Sequence, residues 1–243
     1  NQPRGVAESC DLVITCVKDA DAVNQMLFGD DGLVAGKQTG LTVADMSTIN
    51  PSAAKEISNK LHDKKIKSLE IPVMGGPNVA IDGKLVLMAS GDEDAFEEYR
   101  EVFNTIASKI FFLGKSGSAH SIKLAMNLQI SLLALSLAEG ITLTRKAGFD
   151  PAKFLEILNS TYFSTGMSQN KAYKMIKDEY QPTFTLKNLK KDLDTITATA
   201  KDFGALLPIA ERANEIYKDA MNAGFGEIDY TGILEYIKKL SRD

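Results

Sequence analysis

An α/β sheet layer that passes through one long helix into an all-helical region is the architecture expected of this chain. Three observations carry that expectation. Between residues 11 and 113, short β-rich runs alternate with amphipathic segments, the pattern of strands covered by helices. After Leu113 the strand signal stops and only helical periodicity follows. At the junction stands LGKSGSAHSIKLAMNLQISLLALSLAEGITLTR (113–145). Its small-residue turn (Gly114, Gly117, Ser118) opens a helix of roughly 30 residues, about 45 Å long.

Strands are expected at 12–17, 41–45, 68–73, 85–89 and 110–113, with at least some of them parallel. Helices are expected between several of them, at 19–28, 51–62 and 92–107. Pro51 after Asn50 suits the first turn of a helix. Asp92, Glu93 and Asp94 place acids where a helix N-terminus favours them. The long helix, 118–147, ends at Gly148 with Arg145 and Lys146 in its last turn. Asp150-Pro151 opens the next helix, and further helical patterns cover 168–178, 186–203, 208–222 and 230–240. No internal repeat or low-complexity segment is visible.

The chain has 243 residues, 44% hydrophobic and 25% charged, with a formal net charge of −4. That is enough material for one large or two small globular domains. Acids and bases are interspersed, so no basic patch argues for nucleic acid. No run of 18 apolar residues lacks a polar break, so no membrane span is expected. No signal peptide is read, and the expected location is cytoplasmic. Cys10 and Cys16 alternate with apolar residues around the first strand and read as reduced core residues. With His62 and His120 as the sole histidines, no metal site is expected. The chain opens at Asn1 one helical turn ahead of an expected buried strand, which reads as the middle of a domain.

The long helix is apolar nearly all round and is therefore expected to be buried. His120, Lys123, Asn127 and Ser131 interrupt it, within roughly 80° of arc on one face. Desolvating a lysine there is costly. Lys123 suits proton exchange with an alcohol or carbonyl oxygen, oriented by Asn127 at i+4. It equally suits a side chain snorkelling to solvent. His120 reads as a packed or surface histidine.

IPVMGGP (71–77) leaves a strand into a turn whose paired glycines suit an anion nest or a tight turn. In DMSTINP (45–51) a strand ends and a helix begins. Its hydroxyls suit either a cofactor at the strand's carboxyl end or helix capping by Ser47, Thr48 or Asn50. Lys191 falls off the apolar stripe Leu189, Leu193, Ile196 and suits pairing with nearby aspartates.

Five segments in this order, DLVITCVKD (11–19), DMSTINP, IPVMGGP, LGKSGSAHSIKLAMN (113–127) and FTLKNLKKDLD (184–194), resemble the β-hydroxyacid dehydrogenases. That family includes 3-hydroxyisobutyrate dehydrogenase and the glyoxylate/succinic semialdehyde and tartronate semialdehyde reductases. The resemblance spans essentially the whole chain. It implies a Rossmann-type domain missing its first β-α-β unit (residues 1–116) and an all-helical C-terminal domain for substrate and oligomerisation (117–243), joined by the long helix. The active site is then expected in the cleft between them. The cofactor implied is NAD or NADP, and the partner a small carboxylate-bearing hydroxyacid or aldehyde. Lys123 matches the catalytic lysine and Asn127 the asparagine that helps hold substrate. Gly75 and Gly76, with Met74, match the loop for the substrate carboxylate. Thr48, Val17, Lys18 and Lys191 match positions bordering the cofactor. Homodimers or homotetramers are implied.

Three departures accompany the resemblance. No GxGxxG turn, which would hold a pyrophosphate, occurs anywhere in the chain. Met74 stands where a serine is usual. Ala119 replaces a usual glycine, and Met126 a frequent polar residue. A scaffold subunit that keeps the fold without catalysis is the alternative reading. A 6-phosphogluconate dehydrogenase relative would want histidine at Met126 and a longer helical part.

Overall fold

In a computed structural model of the chain, residues 2–36 and 39–241 are described. The chain divides into two compact units, Asn1–Ala125 and Met126–Asp243. The division falls inside the long helix, nine residues beyond the 116/117 boundary.

The first unit holds α1 (Pro3–Ala7), β1 (Leu12–Thr15), α2 (Ala20–Phe28), β2 (Thr42–Asp45), α3 (Pro51–Asp63), β3 (Lys67–Glu70), β4 (Val73–Met74), α4 (Pro77–Ile81), β5 (Leu85–Gly91), α5 (Glu93–Glu98), α6 (Arg100–Ile106) and β6 (Ala107–Phe112). Strands β1, β2 and β3 run parallel, and β6 runs parallel to β5. β5 turns the sheet: it is antiparallel to both β3 and β4. The single strand expected at 68–73 is thus broken in two. Its register against β5 continues unchanged from Leu69↔Gly91 to Met74↔Val86. Pro72, which has no N–H to donate, still accepts from Met88 N at 3.0 Å.

Caps follow the chemistry of the residues. Asp19 accepts from Ala22 N and Asn50 from Ser52 N, opening α2 and α3. Asp92 makes no cap bond. Its carboxylate instead accepts from Ser68 N at 2.7 Å and meets His62 Nε2 at 2.8 Å. The helix expected at 92–107 splits at Tyr99 into α5 and α6, and β6 begins three residues before the expected strand.

The cysteine expectation is overturned: Cys10 and Cys16 are both exposed. In β1, Val13 and Thr15 are buried while Ile14 is exposed. Both cysteines lie just outside the ends of the strand, where its alternation of side chains no longer sets burial. Among the described residues β1 pairs only with β2.

α7 (Ser118–Lys146) runs 29 residues. By length and composition alone it is long and apolar enough to cross a membrane, and 44% of its most apolar window is buried within this chain. It is not buried all round. Ala134, Ala138 and Ile141 are buried, whereas Ile122, Met126 and Leu143 are exposed, because the packed elements cover one side of the cylinder.

The second unit adds α8 (Pro151–Asn159), α9 (Gly166–Asn170), α10 (Ala172–Lys177), α11 (Leu186–Asp202), α12 (Pro208–Ala220) and α13 (Ile233–Leu240). Asp150 caps α8 as expected. The helix expected at 168–178 breaks at Lys171 and stops at Asp178, whose φ is +57°. Leu186, Leu189, Leu193 and Ile196 of α11 are buried, and Tyr217 of α12, fully buried, donates its hydroxyl to Ser131 O at 3.1 Å.

In the first unit, Phe96 stacks on Phe103 and Phe112 at centroid distances of 6.0 and 4.9 Å, and Phe103 is fully buried. Phe103→Ala removes a ring that packing cannot refill and is expected to cost about 3–5 kcal/mol, measured by urea denaturation of the intact chain.

Candidate active site

The carboxyl ends of the strands carry the first cluster. Thr15, Asp45 and Glu70 end β1, β2 and β3 and lie opposite one another in register, with Ser90 of β5 next in the row. All four are buried. Thr15 Oγ1 donates to Asp45 Oδ1 at 2.7 Å, and Ser47 Oγ donates to the same oxygen at 2.7 Å. Ser47 Oγ in turn accepts from Val17 N at 2.9 Å. One carboxylate therefore shapes both loops that leave β1 and β2. Ser47 is spent on this bridge, Asn50 is the cap of α3, and Thr48 stands half-buried at the loop surface.

Glu70 does the same for the start of α7. Its oxygens accept from Gly117 N at 2.6 Å and Ser90 Oγ at 2.7 Å, and Ser90 Oγ accepts from Ala119 N at 3.1 Å. These amides belong to the opening of a helix, where backbone donors lack intrahelical partners. Burial pushes both the Asp45 and Glu70 carboxyls up, against the pull of their hydroxyl and amide donors. Burial also pushes up the Cys16 thiol, with the Asp45 charge adding to it.

Lys123 lies five residues past Ser118, about one and a half turns from the start of α7. Its Nζ donates to Val73 O at 2.8 Å and lies 3.2 Å from Met74 Sδ. The expected lysine and the expected loop are therefore in contact. Of the paired glycines, Gly75 needs to be glycine: its φ is +135°, and a Cβ would meet Leu85 Cδ2 at 2.7 Å. Gly76 has φ −85° and caps α4. Gly75 and Gly76 are exposed, and Lys18 reaches into solvent beside Asp19 at 3.3 Å.

The second cluster lies in the helical unit. Asn127 is 2% exposed and donates Nδ2–H to Asp192 Oδ2 at 2.7 Å. Lys191 Nζ lies 2.7 Å from Asp192 Oδ1. Asn127 Oδ1 is buried with no hydrogen-bond partner among the described residues, which leaves an acceptor beside a charged pair. Asp192 escaped the sequence reading, although its signal was present: it falls at i+3 from Leu189 and i−4 from Ile196, on the buried stripe of α11. An acid on an apolar stripe needs a partner, and Asn127 is that partner.

These residues suit one side of a dinucleotide. The half-buried Val17, Met46 and Thr48 follow the carboxyl ends of two parallel strands, where ligands of open α/β sheets bind. Asp45 Oδ2 is a further buried polar atom there without a hydrogen-bond partner among the described residues. Among the described residues no three His, Cys, Asp or Glu side chains gather closely enough to hold a metal ion.

Asn127→Ala strips Asp192 of its amide donor. It is expected to lower stability by about 1.5–3 kcal/mol, the range for hydrogen bonds to charged groups, read as a shift of the urea midpoint at unchanged slope.

Known proteins match both units of the chain. Residues 1–114 match the family model of the NAD-binding domain of 6-phosphogluconate dehydrogenase. Residues 117–237 match that of the NAD-binding domain of NADP-dependent 3-hydroxyisobutyrate dehydrogenase. Glyoxylate/succinic semialdehyde reductase 2 of Arabidopsis thaliana is 30% identical over 98% of this chain and 66% of its own length. The cytokine-like nuclear factor N-PAC of Aedes aegypti is 29% identical over 95% of this chain and 41% of its own. The chain thus spans less than two thirds of the length of these relatives. The crystal structure of 3-hydroxyisobutyrate dehydrogenase from Salmonella typhimurium superposes with a TM-score of 0.88 at 28% identity, covering 97% of this chain and 82% of that one. A sheet unit and a helical unit that match two NAD-binding models in order, on the fold of a hydroxyacid dehydrogenase, make the chain a member of the β-hydroxyacid dehydrogenase family, whose cofactor is NAD or NADP.

Proposed function

We propose that the protein is an NAD(P)-dependent oxidoreductase interconverting a small β-hydroxyacid and its semialdehyde. The observation that carries this reading is Lys123 Nζ, 2.8 Å from Val73 O and 3.2 Å from Met74 Sδ at the head of the glycine loop. A nicotinamide cofactor, when bound, supplies the hydride acceptor or donor. Everything else falls to side chains of this chain. Lys123 gives a proton to the carbonyl oxygen during reduction and takes it from the hydroxyl during oxidation. The carbonyl and the thioether it touches keep their charge whichever way the proton moves. The exposed amides of Gly75 and Gly76 receive the substrate carboxylate, and Met74 forms an apolar wall beside it. Asn127, its amide turned by Asp192, offers Oδ1 to a substrate hydroxyl. Val17, Lys18, Thr48 and Lys191 border the cofactor, and the assembly is a homodimer or homotetramer.

A second reading, a non-catalytic scaffold, is favoured by relatives named as nuclear factors. The two readings part at Lys123. Lys123→Ala is expected to lower kcat by about 10²–10⁴, the range for a positioned proton donor, with cofactor Kd within about twofold. Near-normal turnover sinks the role of Lys123, and no turnover by the full-length wild type with glyoxylate, succinic, methylmalonate or tartronate semialdehyde favours the scaffold. Met74→Ser returns a hydroxyl donor to the loop. It is expected to lower KM for the carboxylate substrate by about 3–10-fold, measured by initial rates.

A further inference from the structure

We infer that Asp45, Glu70 and His120 form one buried acid–base cluster that holds a single extra proton at neutral pH, and that His120 is a positioning residue for the helical turn carrying Lys123. His120 is fully buried, one turn before Lys123 on α7. It lines a small cavity together with Asp45, Glu70 and Ser68, against a wall that includes Ile57 and Leu61. The cavity measures about 10 Å³, room for the centre of one water. Asp45 Oδ2 is buried with no hydrogen-bond partner among the described residues, while Oδ1 takes donors from Thr15 and Ser47. A water in the cavity bridges that oxygen and the imidazole.

The charges require a proton there. Asp45 and Glu70 are register neighbours on adjacent parallel strands, whose spacing is about 4.8 Å. Two ionised carboxylates so placed, both out of water, disfavour each other. Among the described residues no lysine or arginine lines the cavity or bonds to the two carboxylates; Lys55 of α3 reaches Gly117, whose amide Glu70 holds. β1 contributes the Thr15 hydroxyl and, just past its end, the Cys16 thiol; β3 and β5 contribute the Ser68 and Ser90 hydroxyls; α3 contributes apolar side chains; α7 contributes His120. A proton taken from solvent and shared between Asp45 and His120 leaves one negative charge in place of two. Because Asp45 shapes the loops after β1 and β2 and Glu70 holds the first amides of α7, the same proton keeps these three segments seated together.

The proton count has a thermodynamic signature. Above about pH 7.5 the unfolded chain has released its carboxyl protons and nearly all of its histidine protons, whereas the folded cluster keeps one. The folded state then binds one more proton than the unfolded, so stability falls as pH rises, tenfold in the folding constant per pH unit. Urea denaturation of the intact chain from about pH 7.5 to 8.5 is expected to show that slope in wild type and to lose it in both Asp45→Asn and Glu70→Gln. A flat wild-type profile, or variant profiles parallel to wild type, overturns the cluster. With two histidines in the chain, and His62→Asn to assign them, the ¹⁵N signals of His120 are expected to shift in Asp45→Asn; unchanged signals overturn the Asp45–His120 link. The positioning role rests on the reading of Lys123 given above. His120→Gln is expected to lower kcat about tenfold with cofactor Kd unchanged, and wild-type kcat overturns that role. Loss of the Lys123 reading would leave the denaturation slope and the imidazole signals standing.

Discussion

Two carboxylates are buried side by side at the carboxyl ends of β2 and β3, and the first unit is organised around keeping them satisfied. An unmade partner for a buried polar group costs about 1–3 kcal/mol, and more for a charge. Asp45 draws its donors from Thr15 and Ser47, so the loop after β2 cannot move without stranding an anion. Ser47 passes the constraint to Val17 N. Glu70 draws on Gly117 N and, through Ser90, on Ala119 N. Packing fixes the strands, and the polar row Thr15–Asp45–Glu70–Ser90 fixes what leaves them.

The proposed chemistry inherits its geometry from that row. A loop following a strand is ordinarily the mobile part of a fold. Here the segments assigned to cofactor and proton transfer are tethered to the sheet by short hydrogen bonds near or below 3 Å. Lys123 is three residues past His120 and four past Ala119 on a continuous helix, so an error at the first turn is carried forward rigidly. Its contacts with Val73 and Met74 come from the one place where the β3–β4 run is interrupted by Pro72. The proline thus both breaks the strand and sets the loop beside the lysine.

Much of this was legible in the residues. Period-2 runs located all the long strands, and Asn50-Pro51 and Asp150-Pro151 marked helix starts because capping chemistry is local. Lys123 and the glycine loop stood out as a costly cation and a turn needing positive φ. What stayed hidden depends on partners far apart in sequence. Asp45 read as the end of a strand and Glu70 drew no reading, since only the parallel register places them together. The cysteines were misread because both lie just beyond the ends of β1, where strand alternation no longer decides burial. Ser47 looked like a helix cap, and its true acceptor and donor lie 2 and 30 residues away.

The helical unit repeats the device with one difference. Asp192 is a buried carboxylate that fixes an assigned side chain, but it has an ammonium beside it, Lys191 at 2.7 Å, as well as the Asn127 amide. Asp45 and Glu70 share a register position with each other and with neutral hydroxyls, so their compensation has to come from solvent or from His120. The same residue type therefore serves two ends. Asp192 holds Asn127 as a fixed hydrogen-bonding group. The strand-end pair ties the seating of α7 to the proton count of its surroundings, and any activity that depends on Lys123 inherits that dependence.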